Sequence, residues 1–389
     1  MTTRLYDKDP HQYTFEARVL SCVPCDAGYR IVLDQTAFFP GGGGQACDRG
    51  RLGPLPVLSV MEEKDIIYHI LPRPLPVGRQ ITGYIDRAFR FDNMQQHSGE
   101  HLLSGIVHRQ KGYDNVGFHM NEQFTTVDFN GPLTEEECRE VERLANEIIY
   151  ENVPIRILYP SPEELSTMSY RSKKALSGTV RIVQVGDSDL CACCAPHVAS
   201  TGEIGIIKIA THENYKGGIR LTLLCGARAL QHYQQQTELI HQLGRQLSSP
   251  PDKLLPALER QQQERDALKS SLVRLSEEVI AARLRDIPSD APYVCRQEAV
   301  LDETAARLLV NALTQRQDGR IGLLLPQPDQ SLRYIIGSHD QDLRSFGKAW
   351  NAAFEGRGGG SASMIQGTVR GDVSAMDAFF ASYENSREH

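Results

Sequence analysis

No apolar stretch in this chain of 389 residues approaches the roughly 18 consecutive residues that a membrane-spanning helix needs, so no membrane partner is expected. Net positive charge is missing as well. Lys and Arg number 42 against 49 Asp and Glu, which gives −7. That argues against a basic coat and leaves local patches to decide any contact with nucleic acid. Cysteine is too sparse and scattered for a disulfide framework: there are nine, an odd number, clustered only near position 193. A reducing cytoplasm fits that usage. The opening Met1-Thr2-Thr3-Arg4-Leu5-Tyr6-Asp7 has no apolar core, so no secretory signal is expected. No internal repeat runs through the chain. The composition is globular, 40% hydrophobic and 23% charged, and the length suits two to four domains of about 100–200 residues.

Two short segments stand out. His97-Ser98-Gly99-Glu100-His101 and Cys193-Cys194-Ala195-Pro196-His197 each hold a ligand pair with three residues between. Together they offer three imidazoles and one thiolate, a full tetrahedral set for zinc. Residues 92–109 read as an amphipathic helix, because Met94, His97, His101, Leu102, Ser104, Gly105 and His108 recur at three- and four-residue steps. His97 and His101 then stack one turn apart on one face. Residues 180–185 and 204–209 read as strands, with Cys193 and His197 on the connection between them and Pro196 stiffening it.

A His pair at this spacing is by itself more often surface or core than ligand; the second segment is what argues for a metal. Cys191 and Cys194 compete with Cys193 for the thiolate position, and His108 reads as packing or as an outer partner of the site. His97-x-x-Glu100-His101 also fits the pattern of inverted zinc peptidases, with Glu100 as general base. That reading leaves Cys193 and His197 without a job.

The chain reads as α+β in four sections. Residues 1–90 are rich in short strands and Gly and Pro turns, which suggests a small β-barrel. Within them Gly41 to Gly44 follow Phe38-Phe39-Pro40, where the backbone can approach a ligand and expose its amides. Residues 91–226 form an α/β section carrying both ligand pairs, with a helix over 134–151 opened by Thr134 and a strand over 124–129. Residues 227–286 are helical and split at Pro250-Pro251. Leu254, Leu258, Gln261, Arg265, Leu268, Leu272, Leu275 and Val279 form a heptad seam there, which suits an antiparallel hairpin or a dimeric coiled coil. Residues 287–389 read as a small α/β domain with buried strands at 321–325 and 332–336. They also hold a Gly-rich loop, Gly356-Arg357-Gly358-Gly359-Gly360, suited to a phosphate or to a simple turn. Arg171, Lys173 and Lys174, with Arg181 beyond, form one cationic patch; Lys208, Lys216 and Arg220 form a looser set. Each by itself reads as an ordinary solvated face.

These segments, in this order, resemble the free-standing alanyl-tRNA editing proteins of the AlaX type, which are similar to the editing region of alanyl-tRNA synthetase. The resemblance rests on Thr36, Phe38-Phe39-Pro40, Gly42-Gly43-Gly44-Gln45 and Asp48-Arg49-Gly50. It continues through the two ligand pairs, Gly117-Phe118-His119-Met120, Val198, Thr201-Gly202-Glu203-Ile204-Gly205 and Gly217-Gly218-Ile219-Arg220-Leu221. The loop at 356–360 resembles one in the domain that ends alanyl-tRNA synthetases, and no segment resembles the adenylate-forming core. The second ligand pair, Cys-Cys-Ala-Pro-His, departs from the family's usual Cys-Gly-Gly-Thr-His.

The resemblance implies an enzyme acting in trans, with one Zn²⁺ per chain on His97, His101, Cys193 and His197. The implied reaction is hydrolysis of the ester of serine, or of glycine, on tRNA(Ala). Thr36 becomes a candidate sensor of the serine hydroxyl, and Gln45 and His119 candidates for placing substrate or water. Arg171, Lys173, Lys174, Arg220 and Arg357 become candidate tRNA contacts, and the helical section or the C-terminal domain a candidate homodimer interface. The competing class is a non-catalytic tRNA-binding module in which the zinc is structural.

Overall fold

The computed structural model describes residues 2–172 and 180–383. The chain divides into two compact units, Met1–Gln242 and Leu243–His389, so the boundary expected at residue 90 falls inside the first. The class is α+β, with eight α-helices among the described residues. None of these helices is long and apolar enough to cross a membrane.

The first unit opens with a seven-stranded antiparallel sheet that nearly closes on itself. Its spatial order is Leu55–Val57, Gly50–Leu52, Gln80–Ile85, Thr14–Cys25, Gly28–Leu33, Ile66–Leu71 and Ser59–Glu63. The long strand Thr14–Cys25 makes the closure. Its first half pairs with Gln80–Ile85 and its second with Gly28–Leu33, and the register shifts between Val19 and Ser21, where a bulge bends the strand around the corner. The two edge strands are consecutive in sequence, and Leu58 between them donates its amide to the Ile70 carbonyl at 2.8 Å. Phe15, Ala17 and Val19 point inward at every second position and pack with Ile31, Leu33 and Phe38, as the expected barrel requires.

Helix α1 (Arg87–Lys111) follows the barrel. Asp86 caps it by accepting from the Phe89 amide, and Gly112, in the left-handed region, ends it. It is longer than the expected 92–109, and it is not amphipathic: every residue from Asn93 to Val107 is buried. A helix this polar stays buried because its side chains bond neighbouring backbone. Gln96 makes two bonds with Cys225, to its carbonyl and from its amide, both 2.9 Å.

Around α1 lie helix α2 (Glu135–Glu151) and a four-stranded antiparallel sheet in the order Asn115–Met120, Thr125–Phe129, Gly218–Cys225 and Ile207–Tyr215. The capping box of Thr134 and Glu137 starts α2 where the sequence places it. A three-stranded sheet, Ile155–Leu158, Ile182–Val185 and Asp189–Ala192, completes the surround, with the short helix α3 (Pro162–Thr167) after its first strand. The connection expected between two strands therefore contains a further strand, Asp189–Ala192, and a 3₁₀ turn, Thr201–Ile204.

Helix α4 (Gly226–Leu247) ends before Pro250-Pro251, and α5 (Leu254–Asp286) begins beyond them, as the prolines dictate. Leu258, Leu268, Leu272 and Leu275 of the heptad seam stand exposed. In the second unit a five-stranded sheet runs Tyr293–Gln297, Arg320–Pro326, Leu332–Gly337, Met364–Val369 and Arg357–Gly360, with only the first pair parallel. The end of α5 and helix α6 (Glu303–Arg316) pack against one face, and α7 (Leu343–Ala353) and α8 (Val373–Ser382) against the other. Leu323 and Leu325 face one layer and Leu324 the other, which is why this strand reads as a continuous apolar run. The Gly-rich segment expected to be a loop is the exposed edge strand of this sheet.

Candidate metal centre

The two halves of the predicted site meet. His97, His101, Cys193 and His197 bring one ligand atom each to within 4.8 Å of the others. The Cys193 Sγ lies 3.6 Å from His97 Nε2 and 3.5 Å from His197 Nε2. Bonds of about 2.0 Å to nitrogen and 2.3 Å to sulfur in a tetrahedron place N and S about 3.6 Å apart, so the spacing fits zinc.

Each imidazole is held from behind. His97 Nδ1 lies 3.0 Å from Gln45 Oε1, His197 Nδ1 3.0 Å from Ser98 Oγ, and His101 Nδ1 3.1 Å from Asp189 Oδ2. With Nδ1 engaged on all three rings, Nε2 is the nitrogen left for an ion. Gly105 in the middle of α1 lets the third partner approach: a Cβ there would lie 2.3 Å from the Ser188 carbonyl oxygen, in the turn that carries Asp189.

The cysteines separate by environment. Burial works against ionising Cys193, but the charge of His97 and hydrogen bonds from the three imidazoles outweigh it and hold the thiol well below its usual value. Burial pushes Cys191 and Cys194 up, which keeps them neutral thiols. Cys191 joins a second cluster with His101 and Asp189. Both Asp189 oxygens there are bonded by Arg171, at 2.7 and 2.8 Å, so Cys193 is the better thiolate. Arg181 braces the ligand loop by donating to the carbonyls of Cys193 and Ala195 at 2.7 and 3.0 Å.

A cavity of about 630 Å³ opens over the cluster, walled by His97, His101, Cys193, Gly43, Gly44 and Phe118 among others. The glycine segment is a tight turn, closed by bonds between Gly42 and Gln45 at 2.9 and 3.0 Å. Gly44 has φ +90°, and a Cβ on it would lie 2.4 Å from Phe118 Cδ1, so no larger residue fits. The Phe118 ring in turn lies 5.0 Å from that of His97.

Three other predicted site residues, Thr36, Gln45 and His119, lie outside the cavity lining. Thr36 is fully buried in the barrel and does not line the cavity. Its hydroxyl accepts from the Phe38 amide at 3.1 Å and pairs with His69 Nε2 at 2.9 Å. Gln45 is a partner of His97 and also lies outside the cavity lining, with its Nε2 unbonded among the described residues. His119 is exposed, because strand alternation turns it away from the side that Phe118 occupies. His108 is at the surface, 3.1 Å from Asp114.

Among the cations, Arg171 is turned inward to Asp189, and Arg220 forms a two-bond pair with Asp128 at 2.7 and 2.8 Å. Arg357 is exposed on its edge strand. Lys173 and Lys174 lie outside the described residues. Sequence reasoning gave Asp189 and Ser98 no role, placed Arg181 only in a cationic patch, and included Phe118 only within the Gly117-Phe118-His119-Met120 motif.

The family described as threonyl and alanyl tRNA synthetase second additional domain matches residues 180–222. The chain is 30% identical over 270 residues to the alanyl-tRNA editing protein AlaX-L of Pyrococcus horikoshii, covering 67% of this chain and 66% of that one. It is 26% identical over 351 residues to an alanyl-tRNA editing protein of Xenopus laevis, covering 88% and 84%. It is also 30% identical over 298 residues to the alanine–tRNA ligase of Ignicoccus hospitalis, covering 73% of this chain and 32% of the ligase. The chain thus spans about a third of that ligase and most of the free-standing relatives. Extended similarity to those editing proteins, together with the matching domain around Cys193 and His197, places this chain in the alanyl-tRNA editing protein family.

Proposed function

We propose that this chain is a zinc-dependent deacylase acting in trans. It hydrolyses the ester between serine, or glycine, and the 3′-terminal ribose of tRNA(Ala). The observation that carries the reading is the four-ligand cluster, three of whose members, His97, His101 and Cys193, line a substrate-sized cavity. The cluster contains no carboxylate and uses the Cys193 half, which counts against the peptidase reading.

Zinc on His97, His101, Cys193 and His197 would supply a lowered water pKa or a polarised ester carbonyl. The chain's own residues do the positioning. Gln45, Ser98 and Asp189 fix the three rings. Gly43 and Gly44, at the tip of the turn, offer amides to the oxyanion that develops on the ester. Phe118 walls the cavity with an apolar face that excludes water. Thr36 acts one layer behind, setting the course of the chain into the glycine turn through Phe38 and His69.

Arg357 and the Lys173-Lys174 segment are the proposed tRNA contacts, whose affinity falls as salt rises. Arg171 and Arg220 contribute less, since each already faces a carboxylate. The seam of α5 is the proposed homodimer contact, and the cytoplasm the proposed compartment. A Cys193→Ala variant is expected to lose deacylation of seryl-tRNA(Ala) while still binding the tRNA. Unchanged activity in that variant contradicts the proposal.

A further inference from the structure

We propose that Glu100 reads the α-ammonium group of the aminoacyl ester, an inference that rests on the deacylase reading above. Glu100 sits on α1 between two ligands and lines the same cavity as His97, His101 and Cys193. It is 1% exposed.

The carboxylate is held rather than swinging. Ser104 Oγ donates to Oε1 at 2.6 Å, Asn115 Nδ2 donates to the same oxygen, and the Gly117 amide fixes Asn115 by donating to its Oδ1 at 3.1 Å. Asp189, the other buried carboxylate at the centre, is bonded by Arg171 and His101 and does not line this cavity, whereas Glu100 lines it together with Arg171.

An aminoacyl ester carries its positive charge one carbon from the carbonyl. With the carbonyl at the metal ligands, a carboxylate placed between two of them on the same helix is in position to take that ammonium. This distinguishes the aminoacyl ester from every uncharged ester of ribose. A charge-assisted hydrogen bond of this kind is worth about 10- to 100-fold in rate constant if it is made in the transition state.

The test compares two esters of tRNA(Ala) that differ only at that group. One is seryl-tRNA; the other is the same ester with the amine converted to hydroxyl by nitrous acid. The kcat/KM of each is divided by its spontaneous hydrolysis rate. The wild-type protein, loaded with zinc, is expected to favour the ammonium ester by at least about tenfold. Glu100→Gln keeps the acceptor oxygen for Ser104 and Asn115 but removes the charge. It is expected to bring the two esters to near parity by losing rate on the ammonium ester alone, with zinc content per chain unchanged.

Equal corrected rates in the wild-type protein overturn the inference. So does a Glu100→Gln variant that loses the same factor on both esters, because that is the behaviour of a general base or a structural group. Absence of serine release by the zinc-loaded wild-type protein overturns the deacylase reading itself and removes this inference with it.

Discussion

The carboxylate of Asp189 joins Arg171 to His101: Oδ2 lies 3.1 Å from His101 Nδ1, and Arg171 Nε and Nη2 donate to the same group at 2.7 and 2.8 Å. Burial opposes ionisation of Asp189, but hydrogen bonds from His101 and Arg171 outweigh it and hold its pKa below the usual value. A fixed anion behind the ring selects the tautomer and raises the basicity of Nε2. Asp189→Asn is therefore expected to lower zinc affinity by about 10- to 100-fold, read by competition with a chromogenic chelator. Unchanged affinity would show that the ring needs no such support.

Phe118 and His119 form a second test, since neighbours in a strand face opposite ways. Phe118→Ala, which removes the ring lying against His97 and Gly44, is expected to reduce kcat/KM for seryl-tRNA(Ala) by about tenfold or more. His119→Ala is expected to stay within about twofold. The reverse order in a deacylation assay would restore His119 as the functional residue.

The same pair shows where sequence reading stops. Ligand spacing was legible because residues that could hold a metal must carry specific donor atoms at fixed separations. Cap signals placed α2 equally well, and Pro250-Pro251 split the helical section for steric reasons. The partners behind the ligands were not legible. Asp189 and Ser98 are ordinary polar residues until the fold brings them to a ring nitrogen. The carboxylate partners of the cations were not legible for a related reason, since only the fold brings Asp189 to Arg171 and Asp128 to Arg220. Thr36 was recognised as special, but nothing local says that its hydroxyl points into the barrel toward His69.

Arg90 and Asp48 are a fully buried ion pair joining α1 to the barrel, with Arg90 also donating to the carbonyls of Ala37 at 2.6 Å and Pro10 at 3.0 Å. Removing one partner strands the other charge in the interior. Arg90→Ala or Asp48→Ala is expected to cost about 3–5 kcal/mol, measured from the urea midpoint at constant m. A loss below about 1 kcal/mol would mean that water replaces the missing partner.

His69 sets a pH dependence. Burial pushes its pKa down from 6.5 to about 4, so the folded barrel keeps it neutral. Between those values the unfolded chain binds a proton that the folded chain excludes. The stability contribution is whole above pH 6.5, falls as pH drops through the window by up to about 3 kcal/mol, and levels off below 4. His69→Gln is expected to lose less stability than wild type between pH 7 and pH 4.5 in urea titrations. Identical losses would contradict the assignment.

The exposed seam of α5 predicts self-association. Replacing Leu268 and Leu272 with Glu places charge in the middle of the seam, and sedimentation is expected to shift from dimer to monomer with little change in helix content. A wild-type protein that sediments as a monomer at micromolar concentration would remove this contact from the account.

The central claim is most directly tested by release of serine from seryl-tRNA(Ala), with alanyl-tRNA(Ala) as the control, by protein stripped of metal and by the same protein reloaded with zinc. Rapid release of serine alone, lost on stripping and regained on reloading, is the predicted result. Equal release with and without metal, or release from neither ester, would contradict it.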